Sequence, residues 1–345
     1  MRALKELVRP NILALNPYST ARDEDEGRLP IDVWLDANES PYDNGVNRYP
    51  DPHQRRLRRR LAEIKGIDAR RIFIGNGSDE AIDLAFRIFC RPGVDNAVSI
   101  APTYGMYRVA ASMNDVGMRE VALGADFSLP VDALLAAADE HTHLMWLCSP
   151  NNPTGNLFPP AEIERLLRAF DGMVVLDEAY IDFADDRGFL PRLDEFPNLI
   201  VLQTLSKAWG MAGLRIGLAF ASEEVVSLFA RVKYPYNLSC LTQRAAEEQL
   251  AQPIAQHLAQ IRTERASLAR ALAACPCVER VYPSDANFLL VRTAAPDALY
   301  QALVGKGVIV RNRSRIAGCE GCLRITVGLP EENLRVLDVV KNFSL

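Results

Sequence analysis

Residues 199–215 read LIVLQTLSKAWGMAGLR: four apolar residues, a hydroxyl-rich segment around Lys207, and two glycines before Arg215. The apolar start has the length and composition of a buried β-strand. The segment that follows has the character of a strand-to-helix loop, in which an exposed lysine would be ordinary. The stretch therefore predicts one strand of a larger sheet, with polar side chains gathered where the strand ends.

Similar pairs of a short apolar run and a longer amphipathic segment recur on both sides of this stretch. Strands that alternate with helices predict an α/β fold with a mostly parallel sheet and helices on both faces. In such sheets ligands bind beyond the carboxyl ends of the strands, and nearly all the suggestive polar groups of this chain follow a strand directly. The other apolar runs lie at residues 71–74, 97–100, 144–148, 173–176 and 214–220.

A second pattern occupies the last third of the chain. Residues 287–291 and 322–327 are predicted strands of a smaller α+β unit. We therefore expect residues 31–245 to form a large cofactor-binding domain and residues 246–345 a small C-terminal domain. Residues 1–30 are expected to form an N-terminal arm that joins the small domain or reaches a partner.

Composition restricts the class of protein. The 345 residues are 49% hydrophobic and 24% charged, which is typical of a globular protein with a sizeable core. A net charge of -5 and a pI near 5.6 argue against a nucleic-acid partner. No stretch approaches the length of a membrane span. The N-terminus is charged from Arg2 onward and lacks a long apolar core, so a cytoplasmic location is expected.

The seven cysteines do not predict a metal site. The pairs at residues 275–277 and 319–322 lie far apart in the sequence and adjoin apolar runs, where buried thiols are common. His141 and His143 alternate before an apolar run and are expected at the start of a strand. We therefore expect no metal.

Lys207 is the central candidate for catalysis. The chain contains only six lysines, and lysine is the side chain that condenses with an aldehyde to form a Schiff base. Once displaced by a substrate, its amine would act as the base that moves a proton. Thr204, Ser206 and Arg215 are suited to holding a phosphate. A phosphorylated aldehyde, pyridoxal phosphate, is therefore the expected cofactor.

Two turns after predicted strands offer further groups to such a cofactor. In GNGSDE, residues 75–80, the glycines allow backbone N–H groups near Ser78 and Asp79 to approach a phosphate at a helix N-terminus. The same residues could equally cap the helix. In NNPTG, residues 151–155, the amide of Asn152 could face the phenolic oxygen of the cofactor ring, although Asn before Pro is ordinarily a turn.

Asp177 follows a wholly apolar run, where a carboxylate is costly unless it faces a cation or a donor. A protonated pyridine nitrogen would serve, and the pairing keeps the ring able to accept electrons. Three residues later, the hydroxyl of Tyr180 could reach the oxygen beside the ring's aldehyde group.

These motifs, in this order, resemble those of the class I and II aminotransferase superfamily, and the resemblance covers nearly the whole chain. It implies a fold-type-I, pyridoxal-phosphate-dependent transferase. The finer pattern resembles the histidinol-phosphate aminotransferase family. That pattern comprises LNPY at 15–18, LDANESP at 35–41, NRYPD at 47–51, APTYGMY at 101–107, VR at 310–311 and CLRITVG at 322–328.

The resemblance also implies roles for single residues. Tyr104 would stack on the cofactor ring. Tyr49 would reach the phosphate of the other subunit's cofactor, which implies a homodimer with shared active sites. The implied substrate contacts are Tyr18, Asn38, Arg311 and Arg324, of which Arg324 would hold a carboxylate.

The implied reaction is reversible amino transfer between L-histidinol phosphate and 2-oxoglutarate, in histidine biosynthesis. The alternatives are an aromatic amino-acid aminotransferase, a lyase similar to threonine-phosphate decarboxylases, and a non-catalytic regulator. The chain departs from the family at Asp36, where Asn is usual. The extra positive charge in the run at residues 311–315, beyond Arg311, has no assigned purpose.

Overall fold

A computed structural model describes residues 2–20 and 32–344, which form two β-sheets surrounded by helices. The larger sheet has seven strands in the order β1-β7-β6-β5-β4-β2-β3, and the smaller has four in the order β10-β11-β9-β8. The strands are β1 (Ile72–Asn76), β2 (Asn96–Ala101), β3 (Gly117–Ala122), β4 (Thr142–Cys148), β5 (Met173–Asp177), β6 (Leu199–Thr204), β7 (Ile216–Phe220), β8 (Val278–Val281), β9 (Phe288–Thr293), β10 (Arg311–Asn312) and β11 (Cys322–Thr326).

Twelve α-helices lie within the described ranges. They are α1 (Leu4–Leu7), α2 (Pro10–Leu13), α3 (Arg55–Lys65), α4 (Ser78–Phe89), α5 (Met106–Met113), α6 (Val131–Ala137), α7 (Pro160–Ala169), α8 (Glu223–Val232), α9 (Cys240–Gln249), α10 (Ala255–Ala273), α11 (Pro296–Gly305) and α12 (Pro330–Asn342). Short 3₁₀ helices occupy Ala69–Arg71, Ile181–Phe183, Leu190–Arg192 and Ala212–Leu214. None of the helices in residues 2–20 and 32–344 is both long and apolar enough to cross a membrane.

The large sheet is mostly parallel, as predicted. Only β7 is reversed, pairing antiparallel with both β1 and β6. Strand β3 was absent from the sequence-based prediction. It lies at the sheet edge and is largely exposed, so its sequence GMREVA lacks the apolar run of a buried strand.

Residues along β5 alternate between the two sides of the large sheet. Val174 and Leu176 belong to one apolar cluster, whereas Met173 and Val175 belong to the other. Successive side chains of a strand point to opposite faces, so a sheet covered by helices on both sides requires an apolar residue at every position. This explains the uninterrupted apolar runs in the sequence.

The described N-terminal residues pack on the large sheet. Leu7, Val8 and Ile12 are buried in the cluster that contains Phe89, and the backbone N–H of Arg9 donates to the carbonyl of Ile88 at 2.9 Å. Residues 1, 21–31 and 345 lie outside the described residues, so part of the expected arm at 1–30 is not covered. The domain bounds stay a prediction.

The small antiparallel sheet has its own core, which includes Leu289 on β9, Leu323 on β11 and Leu303 on α11. It joins the large sheet through the turn after β4. There the backbone N–H of Asp285 donates to the carbonyl of Gly155 at 2.7 Å. This contact places one end of the small sheet over the carboxyl ends of the large-sheet strands.

A close backbone crossing fixes the turn between β1 and α4. Gly217 of β7 pairs with Gly75, and any Cβ on Gly217 would overlap the backbone nitrogen of Ser78. Gly77 in the same turn has φ +77, a left-handed conformation that favours glycine. The start of α4 can therefore approach β7 only because these positions lack side chains.

We expect Gly217→Ala to lower the free energy of unfolding by on the order of 1–3 kcal/mol, because backbone atoms at Ser78 cannot move aside as a flexible side chain could. Urea titration followed by circular dichroism measures this change. Gly213→Ala is the matched control, because a Cβ at Gly213 meets nothing within 4 Å. Equal stability of the two variants would contradict the role assigned to the crossing.

Candidate active site

A cavity of about 500 Å³ lies at the carboxyl ends of the large-sheet strands, next to the edge of the small sheet. This volume is in the range of small-molecule and cofactor sites. Twelve of the residues predicted from the sequence line it: Ser78, Asp79, Tyr104, Asn152, Asp177, Tyr180, Thr204, Ser206, Lys207, Arg215, Arg311 and Arg324.

Lys207 lies on the turn that follows β6 and reaches the cavity wall beside Tyr180, with its Nζ 5.7 Å from the centre of that ring. Its side chain is accessible through the open cavity, but the surrounding protein still reduces its hydration. Desolvation, followed by the positive charge of Arg324, lowers the pKa of Lys207. A larger fraction of neutral amine makes this group a better nucleophile and base.

Asp177 ends β5 in a buried position and is held by two donors. Its Oδ2 accepts a hydrogen bond from the hydroxyl of Tyr107 at 2.6 Å, and its Oδ1 accepts one from the backbone N–H of Ala179 at 3.0 Å. Burial is the main reason that the pKa of Asp177 rises to about 6. A cation placed in the cavity would favour the ionised form.

Tyr107 is a site residue that sequence reasoning missed, although it lies in the APTYGMY motif at 101–107. It is fully buried and stacks on Trp146, with ring centres 5.0 Å apart. The sequence feature that could have indicated Tyr107 is its position three residues after Tyr104, at the start of helix α5. Only the fold shows that its hydroxyl meets Asp177.

Asn152 connects two of the predicted groups. Its Nδ2 donates to the hydroxyl of Tyr180 at 3.2 Å, and its Oδ1 accepts from Nη1 of Arg324. The Arg324 guanidinium also lies 5.1 Å from the centre of the Phe288 ring. The amide therefore ties the large sheet to the small one across the cavity floor.

The opposite end of the cavity has the features of a phosphate site. Helix α4, twelve residues long, begins there with its unpaired backbone N–H groups. Gly77 is the N-cap, so Ser78 and Asp79 belong to the first turn and neither is the cap. A Cβ on Gly77 would lie 2.8 Å from Nη2 of Arg215, and that guanidinium is 3.4 Å from Asp79.

Thr204 and Ser206 complete this end of the cavity. The Thr204 hydroxyl donates to the carbonyl of Ile216 at 3.2 Å and accepts from the backbone N–H of Ser206 at 3.1 Å. The turn is thereby held against β7, and Thr204 and Ser206 line the cavity together with Arg215. The cavity therefore contains the amine of Lys207, the buried carboxylate of Asp177 and the Asn152–Tyr180 pair, with the features of a phosphate site at its other end. Together these groups fit a phosphorylated pyridine aldehyde.

Three predicted residues lie outside the cavity. Tyr18 is 77% exposed, Tyr49 is 50% exposed, and Asn38 is exposed with φ +54. Tyr49 stacks on Tyr236 with ring centres 4.4 Å apart. One chain therefore does not bring these residues to its own cavity.

The cavity also contains residues for which the sequence analysis assigned no role, among them Thr103, Cys148, Ile316 and Arg313. Within residues 2–20 and 32–344 there is no cluster of metal-ligating side chains, and all seven cysteines are free. His143 is buried, with its Nδ1 2.7 Å from the carbonyl of Phe89.

Comparison with known proteins gives consistent results. Residues 13–338 match the family described as aminotransferase class I and II. The chain is 53% identical to a histidinol-phosphate aminotransferase of Parabacteroides distasonis, over 100% of both chains.

Two solved structures show the same fold. A histidinol-phosphate aminotransferase from Sinorhizobium meliloti in complex with pyridoxal-5'-phosphate has a TM-score of 0.76 at 25% identity, over 85% of this chain and 82% of that one. An L-threonine-O-3-phosphate decarboxylase from Porphyromonas gingivalis has a TM-score of 0.71 at 26% identity, over 86% and 91%.

The buried carboxylate should make the stability of the cofactor-free protein depend on pH. The folded protein holds the Asp177 proton more tightly than the unfolded chain, because the pKa rises from 3.8 to about 6 on folding. Its contribution to stability is therefore present below about pH 4 and is lost as the pH rises through about 6. Asp177→Asn should thus gain on the order of 2–3 kcal/mol relative to the parent protein between pH 4 and pH 7.

Urea unfolding of both proteins at the two pH values measures this difference, with Asp194→Asn as the control because that carboxylate is 88% exposed. Parallel pH profiles for Asp177→Asn and the parent protein would contradict the expectation.

Proposed function

Because the chain belongs to the class I and II aminotransferase family, we propose that it transfers an amino group between L-histidinol phosphate and 2-oxoglutarate, with pyridoxal 5'-phosphate as cofactor, in histidine biosynthesis. The observation that carries the proposal is that one cavity unites Lys207 and Asp177 with the arginines Arg311 and Arg324. The full-length similarity to a protein with this name supports the choice of substrate.

When bound, pyridoxal phosphate supplies an electron-accepting ring that stabilises negative charge on the carbon from which a proton is removed. In this cavity Asp177 would hold the proton on the ring nitrogen. Tyr180 and Asn152 would donate hydrogen bonds to the phenolic oxygen, and Tyr104 would pack against the ring. The phosphate would be bound by the N-terminus of α4 together with Ser78, Thr204, Ser206 and Arg215, near Asp79.

Lys207 would move the proton in the reaction. Desolvation, followed by the positive charge of Arg324, lowers the pKa of its amine, which would take a proton from the substrate Cα. It can then return the proton to the adjacent cofactor carbon. Asp177 and Lys207 would therefore act on different protons. The carboxylate would keep the proton on the ring nitrogen, and the amine would move the proton of the substrate Cα.

Arg324 and Arg311 would bind the substrate anion. Glutamate and L-histidinol phosphate each have an anionic group attached close to the carbon that carries the amine. A guanidinium fork can donate two parallel hydrogen bonds to either a carboxylate or a phosphate. The same two side chains can thus serve both substrates in turn.

The exposed apolar surface supports a homodimer with shared active sites. Leu35 is 88%, Tyr42 83% and Val33 71% exposed, and Tyr18 and Tyr49 lie in the same region of the sequence. Apolar residues exposed in such numbers are typical of an interface. In the dimer, Tyr49 would reach the cofactor phosphate of the partner subunit, while Tyr18 and Asn38 would contact its substrate. The cytoplasmic location stays a prediction.

The decarboxylase with a similar fold gives the alternative function a specific basis. A decarboxylase on this scaffold would release carbon dioxide and would turn over without an amino acceptor. An aromatic aminotransferase would require the acceptor but would not require a phosphate on the donor. The three activities are therefore separable in one assay.

We expect the holoenzyme to produce glutamate from 2-oxoglutarate with L-histidinol phosphate as donor. The kcat/KM for dephosphorylated L-histidinol should be at least about tenfold lower, because a charge-assisted contact is lost. A coupled assay for glutamate measures both, with L-phenylalanine and O-phospho-L-threonine as further donors. Lys207→Ala, which removes the proton carrier, should lose turnover by orders of magnitude while still binding some cofactor.

Equal kcat/KM values for histidinol and its phosphate would overturn the proposed substrate and favour the aromatic aminotransferase. Carbon dioxide release from phosphothreonine without 2-oxoglutarate would establish the decarboxylase.

The shared site is testable by subunit exchange. Lys207→Ala and Tyr49→Phe chains should each have little activity alone. If Tyr49 acts across the dimer, a mixed dimer has one site with both changes and one site with neither. Activity should therefore rise after the chains exchange, toward the level of one intact site per mixed dimer. Exchange verified by mass spectrometry without any gain in activity would place Tyr49 outside the partner's site.

A further inference from the structure

Three arginines converge on one side of the cavity from the edge of the small sheet. On the antiparallel pair β10 and β11, Arg311 lies directly opposite Arg324. The backbone N–H of Arg313 donates to the carbonyl of Cys322 at 2.9 Å, which continues this pairing by two residues. Side chains two residues apart on an extended strand share a face, and all three arginines line the cavity.

Nothing in the described protein neutralises these three charges. Within residues 2–20 and 32–344, none of the three arginines forms an ion pair, and Nε of Arg313 and of Arg324 are buried without a hydrogen-bond partner. Burial, followed by the positive charges of Arg324 and Arg311, lowers the pKa of Arg313. Like charges placed opposite each other on a strand pair are destabilising, so the arrangement favours a bound anion.

The acidic side chains of the cavity are committed elsewhere. Asp177 accepts hydrogen bonds from Tyr107 and from the backbone of Ala179. Asp79 accepts a hydrogen bond from Tyr104 and pairs with the guanidinium of Arg215 at the far end. Neither acidic side chain of the cavity lining is therefore free to neutralise the three arginines, and an anionic ligand would supply that charge.

Contacts on the other side of β10 hold the arginine-bearing strand in place. Asn312 is absent from the cavity lining, and its Nδ2 donates to Oδ1 of Asp297 on α11 at 2.5 Å. Its Oδ1 accepts from the backbone N–H of Ser314 at 2.9 Å. Arg311 and Arg313 are thereby presented to the cavity by a strand that is anchored before any ligand binds.

The two substrates of the proposed reaction differ in how much charge they bring to this point. A phosphate monoester carries a charge of roughly -1.5 to -2 at neutral pH and has three terminal oxygens. A carboxylate carries one charge and two oxygens. Arg324 uses one N–H of Nη1 on Asn152, and Arg313 lines the same cavity, so its guanidinium can donate to the third terminal oxygen that a phosphate has and a carboxylate lacks.

We propose that Arg313 is the residue that selects a phosphate ester over a carboxylate, by donating to the third terminal oxygen, which a carboxylate lacks. This inference rests on the function proposed above and adds a specificity-determining residue to it. It assigns a purpose to one member of the basic run at residues 311–315. Arg315, in the same run, is exposed and is not part of the cavity lining.

The test compares Arg313→Gln, Arg313→Lys and the control Arg315→Gln as holoenzymes in single half-reactions. The cofactor's absorbance reports the reaction with L-histidinol phosphate and, separately, with L-glutamate. Arg313→Gln should raise the half-saturating concentration of histidinol phosphate about tenfold or more and that of glutamate less than about threefold. Arg313→Lys should fall between, and Arg315→Gln should match the parent enzyme.

Calorimetric binding of two unreactive probes provides a readout that does not depend on catalysis. These are 2-(imidazol-4-yl)ethyl phosphate, an amine-free phosphate ester, and glutarate. Arg313→Gln should weaken the phosphate ester selectively, and thermal melting of each holoenzyme verifies that the variants are folded.

Equal losses for the phosphate and carboxylate ligands, a loss confined to glutamate and glutarate, or no loss at all would each overturn the assignment. Failure of the parent enzyme to react with histidinol phosphate would instead overturn the proposed function. In that case the calorimetric comparison still decides whether Arg313 selects phosphate.

Discussion

The burial of a carboxylate at the end of β5 is the constraint on which the rest of this site depends. Asp177 lies beyond four apolar residues in the centre of the sheet, where ionisation is costly. Tyr107 and the backbone of Ala179 supply two hydrogen bonds, and burial still raises the pKa to about 6. A cation in the cavity would offset the remaining cost by favouring the ionised carboxylate.

The side of the cavity bounded by the small sheet has an excess of positive charge. Its three arginines have no acidic partner among the described residues. Asn152 connects the two regions, because its amide donates to the hydroxyl of Tyr180 and accepts from the guanidinium of Arg324. A shift of the small sheet that moves Arg324 would therefore also change the hydrogen bond between Asn152 and Tyr180. The cavity thus combines the carboxylate of Asp177, at the end of a large-sheet strand, with three arginines at the edge of the small sheet.

Backbone geometry sets where these charges lie. The crossing of Gly217 over the turn before Ser78 brings the start of α4 to the end of β6, at the part of the cavity that Thr204, Ser206 and Arg215 line. Gly77 leaves room for Arg215 at the same point. At the other side of the cavity, the pairing of β10 with β11 places Arg311 directly opposite Arg324. The backbone hydrogen bonds of the strand pair keep the two positive side chains close together despite their repulsion.

The sequence by itself determined the alternation of strands and helices, the mostly parallel sheet and the set of polar residues that follow the strands. It could do so because apolar runs record burial on both faces, and because Asp177 directly follows such a run while Asn152 and Lys207 lie four and five residues after one. The tertiary structure alone decided that Tyr107 meets Asp177, that Gly77 caps α4, and that Arg313 joins Arg311 and Arg324. Tyr107 and Asp177 are 70 residues apart in the sequence, and the backbone N–H of Gly77 donates to the carbonyl of Arg215, 138 residues further on. Arg313 reaches the other two arginines through the pairing of β10 with β11. Local periodicity carries no record of which residue lies opposite another. The exposed positions of Tyr18, Asn38 and Tyr49 follow from the fold of one chain. Their proposed roles depend on the second chain of a dimer.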